Sequence, residues 1–334
     1  MKERVGFIGI GQAGGNIVDL FYDKGYEVLN INTSPEDLKL VKSQNKILVP
    51  NANGCNHDRE KSKSYVKSHH EIIIKTCRNI FKDSDILYTV FSTGGGTGSG
   101  AGPLITELLT KIFPSKLIGS ICILPDLKEP VRMQLNAYRC LIELSNIEDI
   151  NGVFVLDNDK KDKLEINKEI VHLMDKLLNI TEYSSIHGNI DKAEVREFLK
   201  IRGCVEINRI LAGEEQVSIF PEKEDDGRVV YILVSLSNKD KLEDVVDIEG
   251  YDMFLNYNDT DETIFALNGL SFYNKRLSII KDILDLNKDR VKKSLENSLG
   301  SKLEDNLNWG IERVEKREHT NIDEKTLLEI FERY

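Results

Sequence analysis

Apolar residues enter this chain in short, nearly unbroken runs, and between the runs they recur at helical spacing. Arg4–Ile10 reads RVGFIGI, and Ile86–Phe91, Leu117–Leu124 and Gly152–Leu156 are almost as apolar. Runs of this kind are strands covered on both faces, the habit of parallel sheets. Glu27–Ile31 is a further strand, and it ends at Asn32-Thr33-Ser34-Pro35, where Thr33 or Ser34 can cap a helix with Pro35 in its first turn. Helical periodicity covers Asn16–Tyr22, Asp58–Phe81, Pro103–Phe113, Val131–Leu144 and Lys163–Leu178. Strands alternating with helices of this length predict βαβ units and an α/β, doubly wound parallel sheet.

After residue 187 the rhythm changes. Cys204–Leu211, Arg228–Leu236, Asp252–Tyr257 and Thr263–Leu270 form a second group of strands, with one helix near Ala193–Ile201 and acidic turns between. That group predicts a smaller α+β domain. From Asn274 the pattern is helical again, with Leu277, Ile280, Leu284, Val291, Leu295, Leu299 and Leu303 on one stripe. Such a stripe packs either on its own body or on a partner. Beyond Ser301, Trp309, Ile311, Val314, Leu327, Leu328, Ile330 and Phe331 stand among charges and predict further helices. The expected units are 1–162, a central helix at 163–186, an α+β unit at 187–273 and a helical C-terminal extension at 274–334.

Composition narrows the function. The 334 residues are 40% hydrophobic and 30% charged with only 7 prolines, a folded and soluble composition. No apolar run approaches the ~18 residues of a membrane span, and the first strand is too short and too rich in glycine for a signal peptide. The net charge of −11 disfavours direct binding to a nucleic-acid backbone. Five scattered cysteines (Cys55, Cys77, Cys122, Cys140, Cys204), with no C-x-x-C pair, read as buried thiols in a reducing cytoplasm. Adjacent His69-His70 and the isolated histidines read as solvated side chains, not metal ligands.

The chemistry lies in two glycine clusters, each at the carboxyl end of a strand, where doubly wound sheets bind ligands. Gly9-Ile10-Gly11-Gln12-Ala13-Gly14 matches G-x-G-x-x-G. A dinucleotide site would also want an acid at the end of the second strand, and Asn32 and Thr33 stand there instead. The second cluster, Gly94-Gly95-Gly96-Thr97-Gly98-Ser99-Gly100, follows a buried strand and precedes a helix. Glycines let backbone N–H groups turn inward on a phosphate, and a helix N-terminus adds partial positive charge. The chain contains no G-K-[ST], so this is not a Walker loop.

At these residues the sequence resembles the tubulin/FtsZ superfamily. Gly94–Gly100 is similar to its signature loop, and the first cluster with its glutamine is similar to its first nucleotide loop. The resemblance runs along most of the chain, short of the C-terminal tail. It implies a GTPase domain that binds GTP/GDP with Mg²⁺ through Gly11, Gln12, Ala13, Asn16, Asn32, Thr33, Gly94, Gly95, Gly96, Thr97 and Gly98. Further implied contacts are Glu129 to ribose, Arg132 near the nucleotide (one residue out of the family spacing), and Asn158 and Asn167 to the base. An asparagine amide offers both donor and acceptor to a guanine edge, although Asn158 reads equally well as a turn cap.

His187-Gly188-Asn189-Ile190-Asp191-Lys192-Ala193-Glu194 resembles the loop that carries the superfamily's catalytic residues, here Asn189, Asp191 and Glu194. Asp191 and Glu194 also spell an ordinary capping box. Twenty-two residues separate Asn167 from Asn189. Mostly helical, they span roughly 25–30 Å, too far for Glu194 to reach a nucleotide in its own chain. It could reach one held by a neighbour stacked head to tail, an interface that does not close and so propagates.

Within the superfamily, the Gly-Gln first loop, Glu194 and the helical C-terminal region look most like the polymerising GTPases that segregate plasmid and phage DNA. That resemblance implies a homopolymer and a DNA-binding adaptor on a centromere-like site, with no direct contact to nucleic acid or membrane and a cytoplasmic location. The alternative is a divergent FtsZ-type division protein or phage-spindle filament.

Overall fold

The computed structural model describes residues 2–50, 52–182, 184–185, 188–211, 218–223, 229–288 and 324–334. His187, the far part of the stripe (Val291, Leu295, Leu299, Leu303), and Trp309, Ile311 and Val314 lie outside the described residues.

The first half alternates as the pattern requires: β1 (Val5–Ile10), α1 (Gly11–Asp23), β2 (Glu27–Asn32), α2 (Pro35–Leu40), β3 (Lys46–Leu48), α3 (Arg59–Ile80) and β4 (Ile86–Ser92). It continues with α4 (Thr97–Ile112), β5 (Leu117–Leu124), α5 (Val131–Ser145), β6 (Gly152–Asp157) and α6 (Lys163–Leu178). Then come the short ribbon β7 (Ser184–Ser185) and β8 (Gly188–Asn189), α7 (Lys192–Lys200), β9 (Gly203–Leu211), β10 (Tyr231–Ser237) and α8 (Leu242–Val245). The chain closes with β11 (Asp252–Asn258), β12 (Glu262–Leu270), α9 (Asn274–Leu286) and α10 (Glu324–Arg333).

Among the described residues ten strands form one sheet in the order β11-β10-β12-β9-β6-β5-β4-β1-β2-β3. From β6 through β3 every pairing is parallel. The second group of strands joins the first sheet where β9 pairs with β6 through Gly152↔Gly203 and Val153↔Cys204. Its strands therefore extend the first sheet through two residue pairs. Within it β12 runs antiparallel to both β9 and β10.

The buried runs explain the layers. Alternate residues of β1 face opposite ways: Phe7 meets Phe21 of α1, ring centroids 3.7 Å apart, while Ile8 and Ile10 face the side of α4. One core face takes α1, α6 and α7; the other takes α3, α4, α5, α9 and α10. In α9 the near part of the stripe packs on the body, with Ile280 fully buried. The α10 residue Ile330 is 1% exposed, Arg333 pairs with the buried Glu107 of α4, and Lys67 donates to the Phe331 carbonyl. This part of the tail is an intramolecular element.

The central helix is tied to the sheet by charge. Glu262 of β12 accepts from His172 Nε2 at 2.7 Å and pairs with Lys176 at 3.1 Å and Arg209 at 3.4 Å. Burial alone would raise its pKa; the hydrogen bonds and charges of His172 and Lys176 outweigh this and lower it from 4.5 to about 2. A folded pKa below the unfolded one means that Glu262 stabilises the fold fully above about pH 4.5 and loses that contribution as the pH falls toward 2. Glu262→Gln is therefore expected to destabilise the chain at pH 7 but to flatten the acid limb of the unfolding curve below pH 4.5. Urea midpoints measured across that range check this; a wild-type slope in the variant would remove Glu262 as the cause.

Candidate nucleotide-binding site

Two neighbouring strands, β1 and β4, end beside one another and each delivers a helix to the same cleft. Helix α1 begins at Gly11 behind an Ile10 cap, and α4 begins at Thr97 behind a Gly96 cap. Neither cap residue supplies a side-chain hydrogen bond, and neither first turn holds an acid. By contrast Ser34, Asp58, Asp162 and Asp191 cap α2, α3, α6 and α7 through their side chains. Uncapped first-turn N–H groups and the positive ends of two helix dipoles make a site for anionic oxygens.

The glycines serve close approach. Gly11 has φ +75°, and a Cβ on it would stand 3.2 Å from the Gly98 nitrogen. A Cβ on Gly98 would press to 2.8 Å from the Ser92 carbonyl oxygen, and one on Gly96 to 2.8 Å from the His57 nitrogen. The two helix starts are thus seated on each other and on the 55–58 turn. In that turn Asn56 and His57 are both left-handed, at φ 44° and 60°. Non-glycine residues hold such a conformation only where their surroundings impose it.

Several side chains fix the glycine loop from behind. The Asn136 amide donates to the carbonyls of His57 (3.0 Å), Gly94 (3.1 Å) and Gly95 (3.3 Å). Arg59, 4% exposed, donates through Nε and Nη2 to the Ser99 carbonyl and pairs with Glu143. Thr33 and Thr97 share a hydroxyl hydrogen bond of 2.7 Å. These bonds hold the carbonyls of the glycine loop and of the 55–58 turn in place.

The cleft has a volume of about 560 Å³. Gly11, Gln12, Ala13 and Asn16 of α1 line it, together with Gly95, Gly96, Thr97 and Gly98. Glu129, Asn158 and Asn167 also line it. Four expected contacts are not among the lining residues. Asn32 is buried, and its Oδ1 accepts from the Thr33 and Ser34 nitrogens, so it shapes the loop. Thr33 sits behind Thr97, and Gly94 packs toward Met133 and Pro125. Arg132 is exposed on α5, and its neighbour Met133 reaches the cleft instead.

Sequence reasoning missed Asp37, Met133, Lys163 and Leu164. Lys163 pairs with Glu129 across the cleft mouth, and Leu164, 66% exposed, offers an apolar surface beside Asn167. The i, i+4 spacing of Lys163 and Asn167 on one helix was the available signal.

Asn189, Asp191 and Glu194 lie elsewhere. They follow the far end of α6, whose 16 residues span about 24 Å from the end carrying Asn167. Asp191 caps α7 by accepting from the Ala193 and Glu194 nitrogens at 2.7 and 2.9 Å, and Glu194 returns the bond to the Asp191 nitrogen at 2.7 Å. The capping box is present, with Asp191 exposed and Glu194 half-buried. All five cysteines are free and buried. No helix among the described residues is long and apolar enough to cross a membrane.

Residues 4–164 match the Tubulin/FtsZ family, GTPase domain. Over 314 residues the chain is 29% identical to the tubulin-like protein TubZ of a Clostridium botulinum C phage, an alignment spanning 89% of this chain and 86% of that one. The crystal structure of Clostridium botulinum phage c-st TubZ superposes with a TM-score of 0.77 at 26% identity, over 87% of this chain and 100% of the other. A GTPγS-form protofilament of Bacillus thuringiensis serovar israelensis TubZ gives 0.75 over 87% of this chain and 94% of that one; at 16% identity it speaks for the fold alone.

The glycine geometry separates two effects of substitution. A Cβ on Gly95 meets nothing within 4 Å, whereas one on Gly96 strikes the backbone of residue 57. Gly95→Val is therefore expected to leave the melting temperature of the unliganded chain near wild type while cutting affinity for a nucleoside triphosphate at least tenfold, about 1.4 kcal/mol. Gly96→Val is expected to lower both. Wild-type affinity in Gly95→Val, read by fluorescent-nucleotide titration, would take the loop out of the site.

Proposed function

Starting from the tubulin/FtsZ-family GTPase domain that this chain carries at residues 4–164, we propose that it binds GTP in the cleft, assembles head to tail, and hydrolyses GTP where one subunit meets the next. Members of this family are GTPases. The observation that carries the proposal for this chain is the pair of uncapped, acid-free helix starts of α1 and α4 facing one cleft. That is an arrangement for a chain of phosphates.

The residues divide the ligand between them. The first turns of α1 and α4 take the phosphates, Glu129 the ribose, and Asn158 and Asn167 the base, whose donor and acceptor pattern an amide can match. Among the described residues no group of three His, Cys, Asp or Glu is gathered as a metal site. A Mg²⁺ ion here would be held mainly by phosphate oxygens and water, its ordinary habit, with Asp37 as the acid nearest to hand on the cleft wall. When bound it would neutralise charge on the phosphate oxygens.

Hydrolysis needs a group to polarise water, and among the described residues that line the cleft the only acids are Asp37 and Glu129. Glu194, with Asn189 and Asp191, fits that task if it comes from the next subunit. Each copy then offers a filled cleft at one end and an acid at the other, and turnover follows assembly. The net charge of −11 suits a filament that reaches DNA through a basic adaptor. With the likeness to a phage TubZ, this favours replicon segregation over cell division.

Electron microscopy of the purified chain with GTP and Mg²⁺, alongside phosphate release, tests the proposal. Filaments with GTP and none with ATP are expected; absence of both polymer and phosphate release would sink it. Glu194→Gln sharpens the test, because glutamine preserves the capping box while removing the charge. The variant is expected to melt like wild type, bind GTP and polymerise, with hydrolysis reduced by ~10²–10⁴-fold. Wild-type turnover in it would leave Glu194 a capping residue only.

A further inference from the structure

Arg276 stands in the first turn of α9, outside the family-matched domain, and is 5% exposed. Its Nε donates to Asp157 Oδ2 at 2.8 Å, and its Nη2 donates to Asp157 Oδ1 at 3.1 Å and to the Pro125 carbonyl at 2.8 Å. Asp157 ends β6 and Pro125 follows the end of β5. One guanidinium therefore joins the two loops that carry Asn158 and Glu129 into the cleft.

The network runs on from there. Asp157 Oδ1 also accepts from the Asp159 nitrogen at 3.1 Å, and its carbonyl accepts from the Lys160 nitrogen at 3.1 Å. Asp159 Oδ1 accepts from the Leu127 nitrogen at 3.4 Å, and the Asn158 nitrogen donates to the Leu124 carbonyl at 3.3 Å. The Glu129 nitrogen closes a turn on the Asp126 carbonyl at 3.0 Å. Each step fixes backbone on one side or other of a residue at the base and ribose end.

We propose that Arg276 is a positioning residue for nucleotide binding: a clamp from the C-terminal region that holds the 125–130 and 157–160 loops at the separation the nucleoside requires. The proposal rests on the reading of the cleft as a guanine-nucleotide site. Stability alone explains this arginine poorly. A buried ion pair is seldom better than apolar packing of the same volume, and Nη1 is buried with no hydrogen-bond partner. What the arginine supplies is its planar fork, which reaches a carboxylate and a carbonyl on separate loops at once. Lysine keeps the charge but not the fork.

The test uses the full chain as wild type, Arg276→Lys and Asp159→Ala. Each is melted without nucleotide and titrated with fluorescent GTP, GDP and ATP analogues. Arg276→Lys is expected to melt near wild type and to bind GTP and GDP about tenfold more weakly by equal factors, the scale of one well-placed hydrogen bond. Its preference for GTP over ATP is expected to narrow, which a merely structural role would not cause. Asp159→Ala, which removes only the exposed end of the network, is expected to show a smaller loss in the same direction. Folded Arg276→Lys with wild-type affinity and selectivity overturns the clamp. Should Arg276→Lys fail to fold, unchanged binding by Asp159→Ala overturns it equally. A wild-type chain that binds no guanine nucleotide removes the functional reading and the clamp together, whereas normal binding by both variants removes the clamp alone.

Discussion

A cleft that is to hold several negative charges needs positive potential, and the described lining of this one offers almost none from side chains. Its described lining includes a single lysine, Lys163, already paired with Glu129 at the mouth. At the glycine-rich end the potential must come from backbone N–H groups at the starts of α1 and α4. Backbone dipoles fall off within about one helical turn, so both helix ends must come nearly into contact and stay there. The requirement for glycine at positions 11 and 98 follows from that approach, and at position 96 from the seating of the loop on the 55–58 turn.

A site made of backbone cannot tune itself by rotamer, so it needs a stiff frame. Asn136 collects three carbonyls, Arg59 holds Ser99, and Asn56 and His57 accept left-handed backbone to meet Gly96. Arg59 and Lys63 of α3 converge on Glu143 of α5, so the helices flanking α4 are tied to each other as well as to the loop. These polar groups are costly to bury singly and stabilising only as a satisfied set. At the opposite end of the cleft the frame is the Arg276 network, anchored in α9.

Much of this was legible in the sequence, for a physical reason: parallel strands buried on both faces leave runs such as RVGFIGI, and glycine at a strand–helix junction has few other uses. The element order of the first half follows from that periodicity. Other features were hidden. Helix α4 starts at Thr97, six residues before the expected Pro103, because glycine's poor helix propensity hides a first turn that tertiary contact demands; a Cβ on Gly100 would strike the Arg59 carbonyl. Strand β3, three residues long, has no period to detect. The exchange of Arg132 for Met133 at the cleft turns on one residue of helix phase, which spacing alone does not fix. Asn32 and Thr33 read as contacts because they end a strand at the right edge, but their side chains are spent on shaping that edge. The joining of β6 to β9 is long-range and carries no local signal.

The separation of Asn167 from Glu194 is set by α6, and α6 cannot bend to close it. Ile166, Ile170, Met174 and Leu177 bury its length against the sheet, and Glu262 pins its middle through His172 and Lys176. Helix α6, about 24 Å long, runs between the cleft-lining residues at its start and the segment that carries the acid. Glu194 is not among the described lining residues, and two options remain for it. Either it is a surface capping residue and nothing more, or it acts on a nucleotide held by another copy. Under the second option the same rigidity that keeps the acid from its own cleft also fixes the repeat of the assembly, because the acid must land at a constant distance from the next cleft. Filament geometry and the timing of hydrolysis would then be one property of one helix. A change that shortened or loosened α6 would disturb both together.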